Sequence, residues 1–138
     1  MILPLLDAHT LTGEQKYADC ALKAFAFYYG EFAKNGFTTA GALDSYCIDK
    51  ESAAPLLRAA LECYHLTRDR TYVDAAEEVA YYLATWQWHY SVCFPEDSMA
   101  KKIGYDTYGG TSVSAAHNAQ DPYGLYYVPE YLELAQLT

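Results

Sequence analysis

The sequence predicts an all-α chain built from antiparallel αα-hairpins with long loops between them. Three observations carry the prediction. Apolar residues recur every three or four positions over most of the chain, the spacing of one helix face. Two stretches repeat one another: TLTGEQKYADCALKAFAFYYGEF from Thr10, and HLTRDRTYVDAAEEVAYYLATWQ from His65, 55 positions later. Within each repeat the helices are separated by two polar residues, Gly13-Glu14 or Arg68-Asp69. Links that short join antiparallel neighbours.

The elements follow in order. Met1 opens inside the first helix of a hairpin, which ends at Leu11-Thr12. After the turn, Tyr17, Ala21, Ala24 and Tyr28 form the apolar stripe of the second helix. Asn35 to Glu51 reads as a loop. In SAAPLLRAALECYHLT, Ser52 is placed to cap the third helix, and Pro55 falls in its first turn, where a missing N–H costs little. Asp49 and Glu51 precede that helix, where acids cap free N–H groups and favour the dipole. Leu57, Ala60, Leu61 and Tyr64 share a face. Tyr72, Ala76, Val79 and Leu83 stripe the fourth helix, and Trp86 extends that stripe into the core. Tyr28-Tyr29, Tyr81-Tyr82 and Tyr126-Tyr127 read as helix packing.

A third Leu-Thr pair, Leu137-Thr138, follows Leu66-Thr67 by 71 positions, and the surplus over the first interval falls between Trp88 and the last helix. There lies GYDTYGGTSVSAAHNAQDPYG, Gly104 to Gly124, polar, aromatic and punctuated by glycine. Length confined to one loop is where repeat proteins often place function.

Composition limits the partners. Of 138 residues, 52% are hydrophobic, enough for one core, and the formal net charge is -9. An acidic chain does not suit a nucleic-acid backbone or an anionic membrane surface. No stretch approaches the ~20 apolar residues of a membrane span. The N-terminus lacks a basic segment and a long apolar run, so no signal peptide is read and a cytoplasmic location is expected. Cys20, Cys47, Cys63 and Cys93 have no metal-ligand spacing, so free thiols in a reducing compartment are expected and no metal. Gly109-Gly110 permits a tight bend, but no phosphate loop surrounds it, and no cofactor is expected. Fifteen tyrosines suit both helix packing and a wet binding groove.

The segments Leu11-Thr12-Gly13-Glu14 with Tyr17 and Ala21, and Leu66-Thr67-Arg68-Asp69 with Tyr72, Ala75 and Ala76, resemble the hairpins of six-hairpin, or α/α-toroid, glycosidases. Asp49-Lys50-Glu51-Ser52, Gly104-Tyr105-Asp106 and Asp121-Pro122-Tyr123-Gly124 followed by Val128-Pro129-Glu130 resemble uncharacterised bacterial members of that superfamily. The resemblance covers nearly the whole chain but only about a third of such a domain, two and a half hairpins of an (α/α)6 toroid. Residues 1 to 138 are then one partial domain whose exposed hairpin faces invite self-association. The resemblance implies a funnel lined by the inner-helix N-termini, with an oligo- or polysaccharide on aromatic platforms and acids on the inter-hairpin loops.

Glycoside hydrolysis needs two carboxyl groups about the scissile bond. The candidates are Asp106, Asp44 and Asp121. Asp106 stands beside Tyr105 and near Tyr108, aromatics that could stack a sugar and raise the carboxyl pKa by desolvation. Asp44 is followed by Ser45 and Tyr46. Asp121 precedes Pro122, where capping the last helix competes with ligand contact. Tyr105, Tyr108, Trp88, Tyr46, His117 and Asn118 are the candidate sugar-binding residues. Trp88 is read off the helix stripe and next to the long loop. His117-Asn118 could move a proton and bind a hydroxyl or carboxylate, which would suit a lyase on acidic sugars; a simple turn is the competing reading. A glycoside hydrolase is the leading expectation. A polysaccharide lyase or epimerase on the same fold, or a non-catalytic helical binding module, are the alternatives.

Overall fold

The computed structural model describes residues 1–40, 47–115 and 120–138. Asp44, Tyr46, His117 and Asn118 lie outside the described residues. Helix dominates: α1 (Ile2–Thr12), α2 (Gln15–Asn35), α3 (Ala53–Thr67), α4 (Thr71–Ala84), the short α5 (Met99–Lys102) and α6 (Val128–Leu137), with a 3-10 helix over Tyr123–Tyr127 leading into α6. No helix among the described residues is long and apolar enough to cross a membrane.

The repeated Leu-Thr pair has a repeated physical role. The Thr12 hydroxyl donates to the carbonyl of Ala8 at 2.7 Å, that of Thr67 to Cys63 at 2.8 Å, and that of Thr138 to Leu134 at 3.2 Å. In the first two cases the hydroxyl also accepts the N–H two residues on, from Glu14 and Asp69. The intervening residue is left-handed in both: Gly13 at φ 70° and Arg68 at φ 63°. Their N–H groups return to His9 and Tyr64 at 2.8 and 2.7 Å. Each turn thus satisfies carbonyls that a helix end leaves open. It lets α1 pack along α2 and α3 along α4.

The core is centred on α3, which buries Ala53, Leu57, Ala60, Leu61 and Cys63. Ala76, Val79 and Leu83 of α4 meet it as the stripe predicted, Val73 joins them from outside the stripe, and Tyr72 is only partly buried. In α2 the buried residues are Ala18, Ala21, Phe25 and Phe32, while Tyr28 is 50% exposed. The stripe predicted through Tyr28 is displaced because Phe25 and Phe32 reach edge-on contacts with Tyr72 and Tyr82 of α4, centroids 5.2 and 5.5 Å apart. In all three tyrosine pairs one ring packs and the other is exposed: Tyr29, Tyr82 and Tyr127 inside, Tyr28, Tyr81 and Tyr126 outside.

Three further expectations are corrected. Ser52 does not cap α3; its hydroxyl donates to the Thr39 carbonyl at 3.0 Å. The Asp49 carboxylate takes the loop N–H groups instead, from Glu51 at 2.6 Å and Ser52 at 3.3 Å. α4 stops at Ala84, so Trp86 lies past its end, half-buried against Tyr82, and its indole N–H has no partner among the described residues. The chain is predominantly helical, compatible with the all-α class, and the third correction concerns its loops. Both long loops fold into short antiparallel ribbons, β1 (Thr38–Ala40) with β2 (Cys47–Asp49), and β3 (Thr111–Ser112) with β4 (Gln120–Asp121).

Candidate functional site

The two inter-helix loops meet. Asp49 bridges to Ser114 in a β-type pairing, and the Ala115 N–H donates to the Ile48 carbonyl at 2.9 Å. The segment after α4 joins them, because Gln87 pairs with Thr111 and the N–H groups of Trp88 and Ser112 bond to Gly110 and Trp86. Backbone pairing therefore anchors a long polar loop that could not bury a core of its own.

The second of these loops, with the ends of α4 and α6, lines a cleft of about 600 Å³ that brings together Tyr105, Asp106, Tyr108 and Asp121 from the candidate set, with Tyr127 and Tyr131 also on its wall. Asp106 is exposed and accepts the Tyr108 N–H at 2.9 Å. That bond, with help from the Ser91 hydroxyl, holds its carboxyl below the ordinary value of 3.8. The rise expected from neighbouring aromatics is absent because the carboxylate remains in water. Asp106 is thus an anion near neutral pH, fit to act as base, nucleophile or cation partner but not as proton donor.

Tyr105 is fixed by a relay. Its hydroxyl donates to the Gln120 side-chain oxygen, and the Gln120 amide donates to the Thr107 carbonyl at 2.6 Å. Gln120 lies over Gly110, where a Cβ would stand 1.8 Å from its amide nitrogen. Tyr105 also packs against Phe94, with centroids 5.9 Å apart. Tyr108 is 68% exposed at the rim.

Asp121 has a structural role in place of the free carboxylate expected of a catalyst. One oxygen accepts the Thr111 hydroxyl at 2.7 Å and the Tyr123 N–H at 2.8 Å, which starts the 3-10 helix. The other accepts the Lys50 ammonium at 2.5 Å, and the Lys50 side chain is only 1% exposed. Trp88 is not part of the cleft; it lies in the extended segment after α4, half-buried beside Tyr90, and its indole N–H donates to Ser112 at 2.6 Å. Asp44, Tyr46, His117 and Asn118 are outside the described residues.

Lys50 and Gln120 are not among the residues expected at the site, and Tyr127, expected to pack, also lines the cleft. Lysine is rarely buried, so nothing in the local sequence marks Lys50 as an interior cation. Tyr127 is 5% exposed and its hydroxyl has no hydrogen-bond partner among the described residues. Burial pushes its pKa upward, and pushes that of Tyr131 up to about 12. Both phenols stay neutral donors. A second groove of about 590 Å³ runs between α1, α2 and the start of α3, lined chiefly by apolar side chains such as Ile2, Phe27, Phe32 and Leu56. Glu31 is the one charged side chain among its described lining residues, so the loop cleft is the better seat for chemistry. No protein family, characterised protein or solved structure matches the chain.

Proposed function

We propose that the chain is part of an α/α-toroid carbohydrate-active enzyme, a glycoside hydrolase whose sugar rests on Tyr105 and Tyr108 with Asp106 as base or nucleophile. One observation carries this reading: Tyr105, Tyr108 and an anionic Asp106 line one cleft in the loop between α4 and α6. Flat tyrosine faces suit the C–H face of a sugar ring, and their hydroxyls suit its wet edge. Asp106 supplies one of the two carboxyl groups such a reaction needs. Asp44, on the other loop, is the candidate for the second. Asp121 is withdrawn from that role because three donors already hold its carboxylate. The repeated Leu-Thr turns support the hairpin and toroid part of the reading.

The experiment is turnover of a broad glycan panel by the wild type, Asp106→Asn and Asp44→Asn. Loss of roughly 10²–10⁴-fold in either variant, with the fold retained, is the expected result. Wild-type turnover that survives in both variants removes the assignment. A second reading, a sugar-binding module without catalysis, is favoured by one fact: Asp106 is the one cleft carboxylate without a cationic partner among the described residues. Binding without turnover by the wild type selects that reading.

A further inference from the structure

We propose that the cleft takes a cationic sugar, an amino sugar whose ammonium group is held by Asp106 while its ring lies against Tyr105 and Tyr108. This rests on the carbohydrate reading in its binding-module form: it gives Asp106 a ligand-holding role in place of base or nucleophile, and adds the charge of the ligand.

The argument is one of charge complementarity. Among the described lining residues only Asp106 and Asp121 carry a formal charge. Asp121 is neutralised from behind by Lys50, which is buried and is not on the lining. What remains among the described lining residues is a single negative charge, that of Asp106, in a chain of net charge -9. Asp106 makes no ion pair with the described lysines and arginines, not even with Lys101, which pairs with Glu96 at 3.4 Å. Its carboxylate is kept ionised by the Tyr108 N–H and the Ser91 hydroxyl. Both donors come from the protein side, so further acceptor capacity is left on the carboxylate for a ligand.

The rim reinforces the same sign. Tyrosine rings present a negative face that attracts a cation as well as an apolar sugar face. Tyr105 is held by the Gln120 relay, and Tyr108 follows directly from the turn that Asp106 closes. An ammonium at Asp106 would lie within a carboxylate and aromatic setting, the usual composition of an amine site. A uronate would instead bring a second carboxylate against Asp106, with no described lining residue to compensate it. A neutral acetamido sugar would gain the stacking alone.

The test is calorimetric titration of the full chain with glucosamine oligosaccharides, their N-acetylated counterparts of equal length, and galacturonate oligosaccharides. It is run at about pH 5.5, where amine and Asp106 are both charged, and at about 0.05 and 0.5 M salt. Glucosamine oligomers are expected to bind about tenfold more tightly than the N-acetylated series. That advantage should shrink at high salt and disappear in Asp106→Asn, whose amide oxygen can still accept the Tyr108 N–H and keep the turn. A wild-type preference for N-acetylated or uronate oligomers, or a preference insensitive to salt, overturns the inference while leaving the carbohydrate reading intact. Failure of all three series overturns it too; the carbohydrate reading is decided separately by the wider glycan panel.

Discussion

Lys50 and Asp121, 71 positions apart in sequence, form a buried ion pair at 2.5 Å. The pair ties the loop before α3 to the loop before α6, with the Tyr123 ring 5.5 Å from the ammonium. Removing one member of such a pair leaves a charge with no counter-ion in low dielectric. Lys50→Met should lose about 3 kcal/mol of stability in urea unfolding. Adding Asp121→Asn should recover part of the loss, because the amide keeps acceptor capacity for Thr111 and Tyr123 without the charge. A Lys50→Met variant within about 0.5 kcal/mol of wild type would refute the structural role given to the pair.

Arg68 is the one non-glycine residue with positive φ among the described residues, and the repeat gives its counterpart as Gly13. Left-handed backbone costs a side-chain-bearing residue roughly 1 kcal/mol. Arg68→Gly should therefore stabilise the chain by about 0.5–1 kcal/mol, after loss of the guanidinium contact with Tyr64. Gly13→Ala should destabilise by about 1 kcal/mol. Thermal unfolding of the two variants checks both signs.

Gly110 holds the space that Gln120 occupies. In Gly110→Ala the new Cβ displaces the Gln120 side chain and breaks the link from Tyr105 to the Thr107 carbonyl. Gln120 is flexible, so the expected stability loss is only about 1 kcal/mol. Ligand affinity should fall more, because Tyr105 loses its anchor; Gln120→Ala should do the same. Equal affinity in both variants, measured by titration, would remove Gln120 from the account.

The cysteines make a chemical prediction. Cys63 is fully buried in α3, and burial raises its thiol from 9.0 to about 12. Cys20 and Cys93 are exposed. A thiol reagent at pH 8 should modify Cys20 and Cys93 in the native chain and Cys63 only on unfolding. The pH sign follows from the raised value: the contribution of neutral Cys63 is complete below about pH 9 and is lost as pH rises towards 12. Rapid native-state labelling of Cys63 would contradict its place in the core.

What could be read from sequence follows the range of the interactions involved. The Leu-Thr turns were legible because both the left-handed position and the hydroxyl back-bond are local. Asp49 as an acceptor for N–H groups ahead of α3 was legible for the same reason. The ribbons were not, because strands of two or three residues show no period. The rotation of α2 away from Tyr28 depends on which rings meet across α2 and α4, a contact no single helix encodes. In the site, Asp106 and its tyrosines were legible as a cluster, but the lowered carboxyl pKa was not, since it depends on solvent access and on Ser91. The capping role of Asp121 was legible because it is local, while its ion pair with Lys50, 71 positions away, was not.

The central claim is that Tyr105 and Tyr108 form a sugar platform. Titrating oligosaccharides into wild type and Tyr108→Ala tests it most directly, because Tyr108 is exposed and its loss leaves the core untouched. The account predicts measurable wild-type binding that weakens about tenfold in Tyr108→Ala at unchanged melting temperature. Equal binding by the two proteins, or no oligosaccharide binding by the wild type, would contradict it.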